Sequence, residues 1–564
     1  MSKLSKRGIL ISCFLFFFIL AAFSFLIIRV APEGEFYAYD ATTFNLFFYM
    51  PLTIWVAILG VGGLLILLAL HDFDGLSPKF THGLMLLILL VIFTIFYGVP
   101  YLFEPNPRFV DSWVHGRTAQ GIISTGHLNL NEFQYQAYPS SFIFLSIFSE
   151  ITGINLTSLL HILPIVLILI FFVILVVSIN EICKSPKIAI VSTLIYGLST
   201  YYLSFHFSPE IFGWLFFVIL IALLAKEVQR HSEFKLVSKR SFAIVLFLII
   251  TGIATTHAVT QLLAIILMLF LFILRKRVWR SNYVTSILLL LVFAIFAGWT
   301  LLFGTSYFSN ILTGFRDAFT TVWSNFSGSI VARPLQPHFP SEIANLLLYR
   351  RSLYILVLLM GLFGLFFIWK QGKTKLSFLL ALLFAGLLIV PLTIFGILPL
   401  ERSIRLVFIP LSIFSAYLVY QKKKVGAVIL VFLVLTVPIN FAATYWDEPV
   451  TMTHDWEISS AKFAANYFHG VVLSEFKDAA IMNYYGNFSG IYSDYYLVGT
   501  PPNVFNTSFI TTNQIQLVYI TQLTTLTQTF RGYNIDLTFL ANSTFDCVHS
   551  NGYSMILVNA KQLP

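Results

Sequence analysis

The chain has 564 residues, of which 58% are hydrophobic and 10% charged, with a mean hydropathy of +0.85; no water-soluble domain has this balance. The formal net charge is +9, but the basic residues sit in short stretches between apolar runs, which excludes a nucleic-acid surface as their explanation. The three cysteines, Cys13, Cys183 and Cys547, give no disulfide framework.

Apolar runs of about 20 residues recur along the chain, the length that crosses a bilayer core as a helix. Lipid offers no hydrogen-bond partners, so each run must satisfy its own backbone as a helix. The first runs from Gly8 to about Val30 behind Lys3, Lys6 and Arg7. It is longer than a signal-peptide core of about 7–15 residues and is read as an uncleaved span with a cytoplasmic amino terminus. An acidic outer loop (Glu33, Glu35, Asp40) precedes a second span near Pro51–Leu70, and a third span ends near Pro100. A polar outer loop follows, containing Phe109-Val-Asp-Ser-Trp-Val-His-Gly-Arg117. Ser141–Phe148 is too short to cross and is read as a helix lying at the outer interface. Leu156–Ser178 is then the fourth span.

The remaining expected spans are Ile188–Phe205, Ile211–Ala225, Ser241–Thr256, Val259–Ile273, Tyr283–Phe303, Ser352–Trp369, Leu376–Ile397, Leu406–Tyr420 and Val425–Thr444. This arrangement of 13 spans places well over half of the 34 Lys and Arg on the cytoplasmic side, as the positive-inside tendency requires. After Tyr445 polar residues, Asn and Thr dominate. Helical patterns at Asp455–Phe468 and Asp478–Tyr485 alternate with strand candidates at Val471–Leu473, Ile515–Thr521 and Tyr553–Val558. The tail reads as a small α/β domain of ordinary size on the outer side. Asn-x-Ser/Thr acceptors at Asn155, Asn325, Asn487, Asn506 and Asn542 all fall outside in this topology.

Four groups of ionisable residues converge on the outer face. Asp111 and His115 are four apart and share a helix face, with Arg117 following; Asp111 could accept a proton or merely cap the helix. In His206-Phe-Ser-Pro-Glu210, capping by Ser208 with Pro209 in the first turn explains the helix start, leaving His206 unexplained and Glu210 a candidate acid. His257 closes the seventh span. Arg402 and Arg405, with Arg333, Arg350 and Arg351, are external arginines against the prevailing charge bias. Their forked donors match phosphate, although snorkelling and an i,i+4 pair of Glu401 with Arg405 would also account for them. There is no Walker-type loop, no Cys/His zinc spacing and no Gly-x-Ser-x-Gly motif, which argues against ATP-driven pumping and the common hydrolases.

On these motifs the chain resembles the GT-C superfamily of membrane glycosyltransferases, which use polyprenyl-phosphate-linked sugars. Asp111 in Asp-Ser-Trp-Val-His-Gly-Arg is similar to the acidic first-loop motif of oligosaccharyltransferase catalytic subunits. Tyr138-Pro139 before the interfacial helix, His-x-Ser-Pro-Glu before a span and Thr-His before an outer turn follow in a similar order. The resemblance covers roughly Met1 to Tyr485, the end of which resembles the extracytoplasmic tail of archaeal members. It implies that Glu210 takes the place of a second-loop acid, and Arg402 or Arg405 that of a phosphate-binding Arg. The Trp-Trp-Asp-Tyr-Gly signature of oligosaccharyltransferases is absent, with Tyr445-Trp-Asp-Glu448 a poor substitute. Transfer of a single sugar is therefore expected.

The expectation is an α-helical polytopic membrane protein of about 13 transmembrane helices. Residues 1–444 form a GT-C-like domain with a catalytic outer loop at 101–140, and residues 445–564 an extracytoplasmic α/β domain. Asp111, His115 and Glu210 are the expected catalytic residues, and Arg402, Arg405 and Arg333 the donor-phosphate ligands. His206, His257 and Arg117 are further candidates. The expected partners are a polyprenyl-phosphate sugar donor, a glycan or glycoprotein acceptor and membrane lipid. No cofactor is specified, and use of a divalent metal stays open. The alternatives are a transporter or flippase of lipid-linked or anionic solutes, and oligosaccharyltransferase-like protein glycosylation.

Overall fold

The computed structural model describes residues 3–30, 50–73, 76–104, 106–128, 137–200, 206–230, 239–274, 282–305, 341–369, 373–390, 400–445, 455–468, 471–474, 476–486, 490–493, 517–521, 545–550 and 554–559, with the isolated positions 47, 309, 313 and 453. In chain order the helices are α1 (Lys3–Val30), α2 (Leu52–Leu70), α3 (Pro78–Phe103), α4 (Val110–Thr125), α5 (Ser140–Thr152), α6 (Leu156–Cys183), α7 (Pro186–Ser199) and α8 (Pro209–Arg230). Then come α9 (Lys239–Thr256), α10 (Ala258–Ile273), α11 (Asn282–Leu302), α12 (Ser341–Trp369), α13 (Lys373–Leu387), α14 (Leu400–Gln421), α15 (Lys423–Leu435) and α16 (Val437–Thr444). The rest is α17 (Asp455–Tyr467), β1 (Val471–Ser474), α18 (Phe476–Tyr485), β2 (Gly490–Ser493), β3 (Leu517–Thr521), β4 (Phe545–Ser550) and β5 (Ser554–Asn559).

The protein is an α-helical membrane protein. Among the described residues seven helices are long and apolar enough to cross a bilayer, namely α1, α2, α3, α6, α8, α12 and α14. The pair α15 and α16, bent by 45°, makes an eighth if it forms one span. Shorter apolar helices occupy the other expected spans, in α7, α9, α10, α11 and α13. Residues 201–205 and 391–397, which would extend two of them, lie outside the described residues. The outer surface of the bundle is apolar, as lipid contact demands: on α6 Ile162, Val166, Ile170 and Val177 all point outward.

Several boundaries differ from expectation. Helix α12 begins at Ser341 rather than Ser352, so Arg350 and Arg351 are helical. Helix α3 continues through Pro100 to Phe103, a tolerated placement in membrane helices. Helix α5 has 13 residues, about 20 Å at 1.5 Å per residue, against a core of about 30 Å. Its exposed side is Ile143, Phe144, Ile147 and Ile151, while Ser141 and Ser146 face inward. A helix with apolar residues outside and serines inside suits a lipid interface.

The two ends of the bundle differ in charge. At one end Lys187 at the start of α7 pairs with Asp72 after α2 at 2.6 Å, a hydrogen bond and charge pairing that hold the Asp72 carboxyl below its usual range. Lys184, Arg7 over the Phe80 ring and Lys422 over the Phe367 ring gather at the same end. The opposite end carries α4, α5, the start of α8 and the start of α14. Helix α14 packs against α7, α12, α13 and α15, so whatever its first turns carry is held in the middle of the bundle.

The five strands form one sheet in the order β2-β1-β3-β5-β4. Strand β1 runs parallel to β2 and β3, while β5 runs antiparallel to β3 and β4. Helix α18 connects β1 to β2 and also packs on α4. Trp113 of α4, fully buried, packs edge-on against Tyr484 with centroids 5.1 Å apart, and its indole nitrogen donates to Thr453 Oγ1 at 3.1 Å. Gly116 makes room for this contact: a Cβ there would fall 2.5 Å from Leu160 Cδ1 and 3.0 Å from Tyr484 Cε2.

Candidate functional site

Helix α4 starts without a side-chain cap. Its N-cap is Phe109, and Asp111 occupies the first turn, where a carboxylate is favoured by the helix dipole. Capping therefore does not explain Asp111. Its Oδ2 lies 3.4 Å from Nε2 of His206, the residue that capping of the next helix also left unexplained. The two side chains are unequally placed: Asp111 is 47% exposed and His206 only 8%. The carboxylate is thus the member of the pair that an incoming molecule meets, and the imidazole backs it.

His115, one turn along the same face, is buried against the Phe142 ring at 5.4 Å and lies parallel to the His206 ring at 6.4 Å. Burial, opposed by Asp111 and reinforced by His206 and His257, drives its pKa down to about 4. It is neutral at ordinary pH. His257 belongs to the same neighbourhood but has a structural duty as the N-cap of α10, its Nδ1 accepting from the Thr260 amide at 3.4 Å. Gly213 of α8 permits this approach, since a Cβ there would lie 2.9 Å from the His257 Cβ. Helix α5 closes the other side: Ser146 Oγ donates to Ala119 O at 2.9 Å and Ser140 Oγ to Thr255 Oγ1 at 2.5 Å.

The acid and the arginine expected to act separately are brought together. Arg405 Nη1 donates to Glu210 Oε1 at 2.7 Å, with side chains 1% and 8% exposed. This bond comes from another helix; the Glu401 side chain, the local partner also expected for Arg405, lies outside the described residues. Ser208, expected to cap α8, is buried with its hydroxyl making no hydrogen bond among the described residues. Arg350 is buried on α12, donating to Tyr354 Oη and Ala443 O at 3.3 Å, whereas Arg351 is exposed. Arg117 is partly exposed on α4. The Arg402 side chain and Arg333 lie outside the described residues.

The chain matches no protein-family model and no curated protein.

One pair at this end escaped the sequence reading. Glu104 Oε1 and Arg108 Nε are 3.1 Å apart, with side chains 2% and 1% exposed. Their i,i+4 spacing was the available signal. The Arg108 guanidinium lies 5.4 Å from the Phe109 ring centroid and 5.3 Å from that of Tyr445. Among the described residues no three His, Cys, Asp or Glu are grouped to hold a metal ion. What the site offers is a half-exposed carboxylate backed by a buried imidazole, beside a buried guanidinium–carboxylate pair. Such a carboxylate can take a proton from a hydroxyl that enters from the open side.

Proposed function

We propose that the protein is an inverting glycosyltransferase that moves a sugar from a polyprenyl-phosphate donor to a hydroxyl of a glycan or protein acceptor. The observation that carries this reading is Asp111, half-exposed and backed by buried His206, at the less basic end of an apolar bundle. In this reading the basic end is cytoplasmic, the amino terminus is inside, and α4, α5 and the C-terminal α/β domain are outside. All 13 expected spans cross. The five-stranded sheet with α17 and α18 supports the α/β reading of residues 445–564.

Nucleotide sugars are cytosolic, so a site on the outer face needs a donor delivered by lipid. The acceptor oxygen attacks the anomeric carbon as its bond to phosphate breaks, and Asp111 takes the acceptor proton. The phosphate departs as an anion, so one carboxylate base suffices. Positive side chains stabilise the charge that develops on it. Arg405, with Arg402 and Arg333, fills this role, and Glu210 holds the Arg405 fork in place. Arg405 stands near the start of α14 and Glu210 in the first turn of α8. Both are at helix ends, whereas transport favours charges near the membrane midplane.

Cells lacking the protein should lose a defined sugar from a surface glycan, and the wild-type chain should restore it. Identical glycans in deleted and restored cells would sink the proposal.

A further inference from the structure

Phe109 has φ 63° and ψ 141°, a combination open almost only to glycine and disfavoured for a bulky aromatic residue. Such a backbone persists only where its surroundings over-determine it. Here they do. On one side the Phe109 ring lies 5.1 Å from the His206 ring. On the other stands the Arg108 guanidinium, within cation–π range of both Phe109 and Tyr445. Arg108 is fixed in turn by buried Glu104, and Tyr445 is anchored to α3 by its hydroxyl, which donates to Phe96 O at 2.8 Å. The backbone of the joint is tied as well: Ser112 Oγ donates to Arg108 O at 2.5 Å and the Ser112 amide to Phe109 O at 3.1 Å. Asp111 follows two residues after the strained position.

We propose that Arg108 is a positioning residue for Asp111: clamped by Glu104 and Tyr445, it holds Phe109 in its left-handed backbone and thereby sets the first turn of α4 so that the Asp111 carboxylate meets His206. The catalytic consequence rests on the glycosyltransferase reading; the geometric one does not.

Removing Arg108 alone would strand a buried carboxylate and threaten folding, so the test uses the double substitution Glu104→Gln with Arg108→Gln. Two quantities are read on folded protein in lipid. The first, independent of activity, is carbodiimide labelling of Asp111 at fixed pH, followed by mass spectrometry with exposed Glu150 as internal reference. The second is sugar transfer from a polyprenyl-phosphate donor. The clamp predicts that Asp111 labelling rises several-fold against Glu150. It also predicts that kcat falls roughly 10- to 100-fold with KM for the donor unchanged, the cost of a misplacement on the order of 1 Å. Adding Phe109→Gly, which accepts positive φ without strain, should return both quantities part-way towards wild type. Unchanged labelling in the double variant, or a change that Phe109→Gly leaves in place, overturns the proposal. If wild type transfers no sugar while the labelling changes and recovers as stated, the positioning role stands and the glycosyltransferase reading fails.

Discussion

Arg405 and Glu210 meet at 2.7 Å with both side chains more than nine-tenths buried, joining the second turn of α14 to the first turn of α8. A buried pair loses about 3–5 kcal/mol when one partner is removed, because the other charge is left without compensation. Glu210→Ala should therefore lower the melting temperature in detergent strongly. Arg405→Ala should do the same, and the double substitution should cost less than the sum of the two. A Glu210→Ala protein that melts like wild type would mean that the carboxylate has no structural duty and acts only in chemistry.

A second prediction concerns acid. His115 has a pKa of about 4 in the folded protein because it is buried, against about 6.5 when unfolded. Between these values the unfolded chain binds the proton and the folded chain does not, so stability falls as pH drops from about 6.5 to about 4. Each pH unit in that window is worth about 1.4 kcal/mol at one group. His115→Gln should flatten the fall in melting temperature across the window. An identical slope in wild type and variant would show that the imidazole is no less accessible to protons when folded.

The tie between α4 and α18 can be tested at Gly116. Gly116→Ala places a methyl group 2.5 Å from Leu160 Cδ1, an overpacking that typically costs about 1–3 kcal/mol. The variant should release the segment beyond Tyr445 to limited proteolysis while the spans stay protected. A wild-type digestion pattern would show that the contact gives way cheaply.

The long apolar spans, α1, α2, α3, α6, α8, α12 and α14, were legible because lipid imposes a length and a composition that no other environment does, and the gathering of Arg7, Lys184, Lys187 and Lys422 at one end follows from the same charge bias. Asp111 and His115 share a face, as their spacing suggested. The partner of Asp111 was not legible, since His206 arrives from a turn 95 positions away; it could only be noticed as a histidine that capping did not explain. The bond between Glu210 and Arg405 was hidden for the same reason; spacing offered Arg405 only phosphate binding, snorkelling or a local pair with Glu401. Phe109 at positive φ runs against its own side chain, so no propensity could point to it. In the tail β1, β3 and β5 were visible as apolar runs. Strands β2 and β4 were missed: the first has four residues, and the second carries Asp546, Cys547 and His549 among its apolar positions.

Orientation is open to direct labelling. In a background with Cys13, Cys183 and Cys547 replaced by Ser, single cysteines at Ser124 on α4 and Lys422 before α15 stand at exposed positions on opposite ends of the bundle. An impermeant thiol reagent applied to intact cells should label position 124 and leave position 422 untouched until the membrane is opened. The reverse pattern would place the site in the cytoplasm, where a lipid-delivered donor has no advantage.

The most direct test is Asp111→Asn. The substitution keeps the size of the side chain and its place in the first turn of α4 but removes the negative charge and the basic lone pair. Sugar transfer from a polyprenyl-phosphate donor is measured for purified wild type and variant in lipid, per folded molecule. If Asp111 takes the acceptor proton, the rate should fall by about 10²–10⁴-fold while melting temperature and expression stay close to wild type. A variant that transfers sugar within a few-fold of wild type would contradict the role of Asp111, and the functional account built on it.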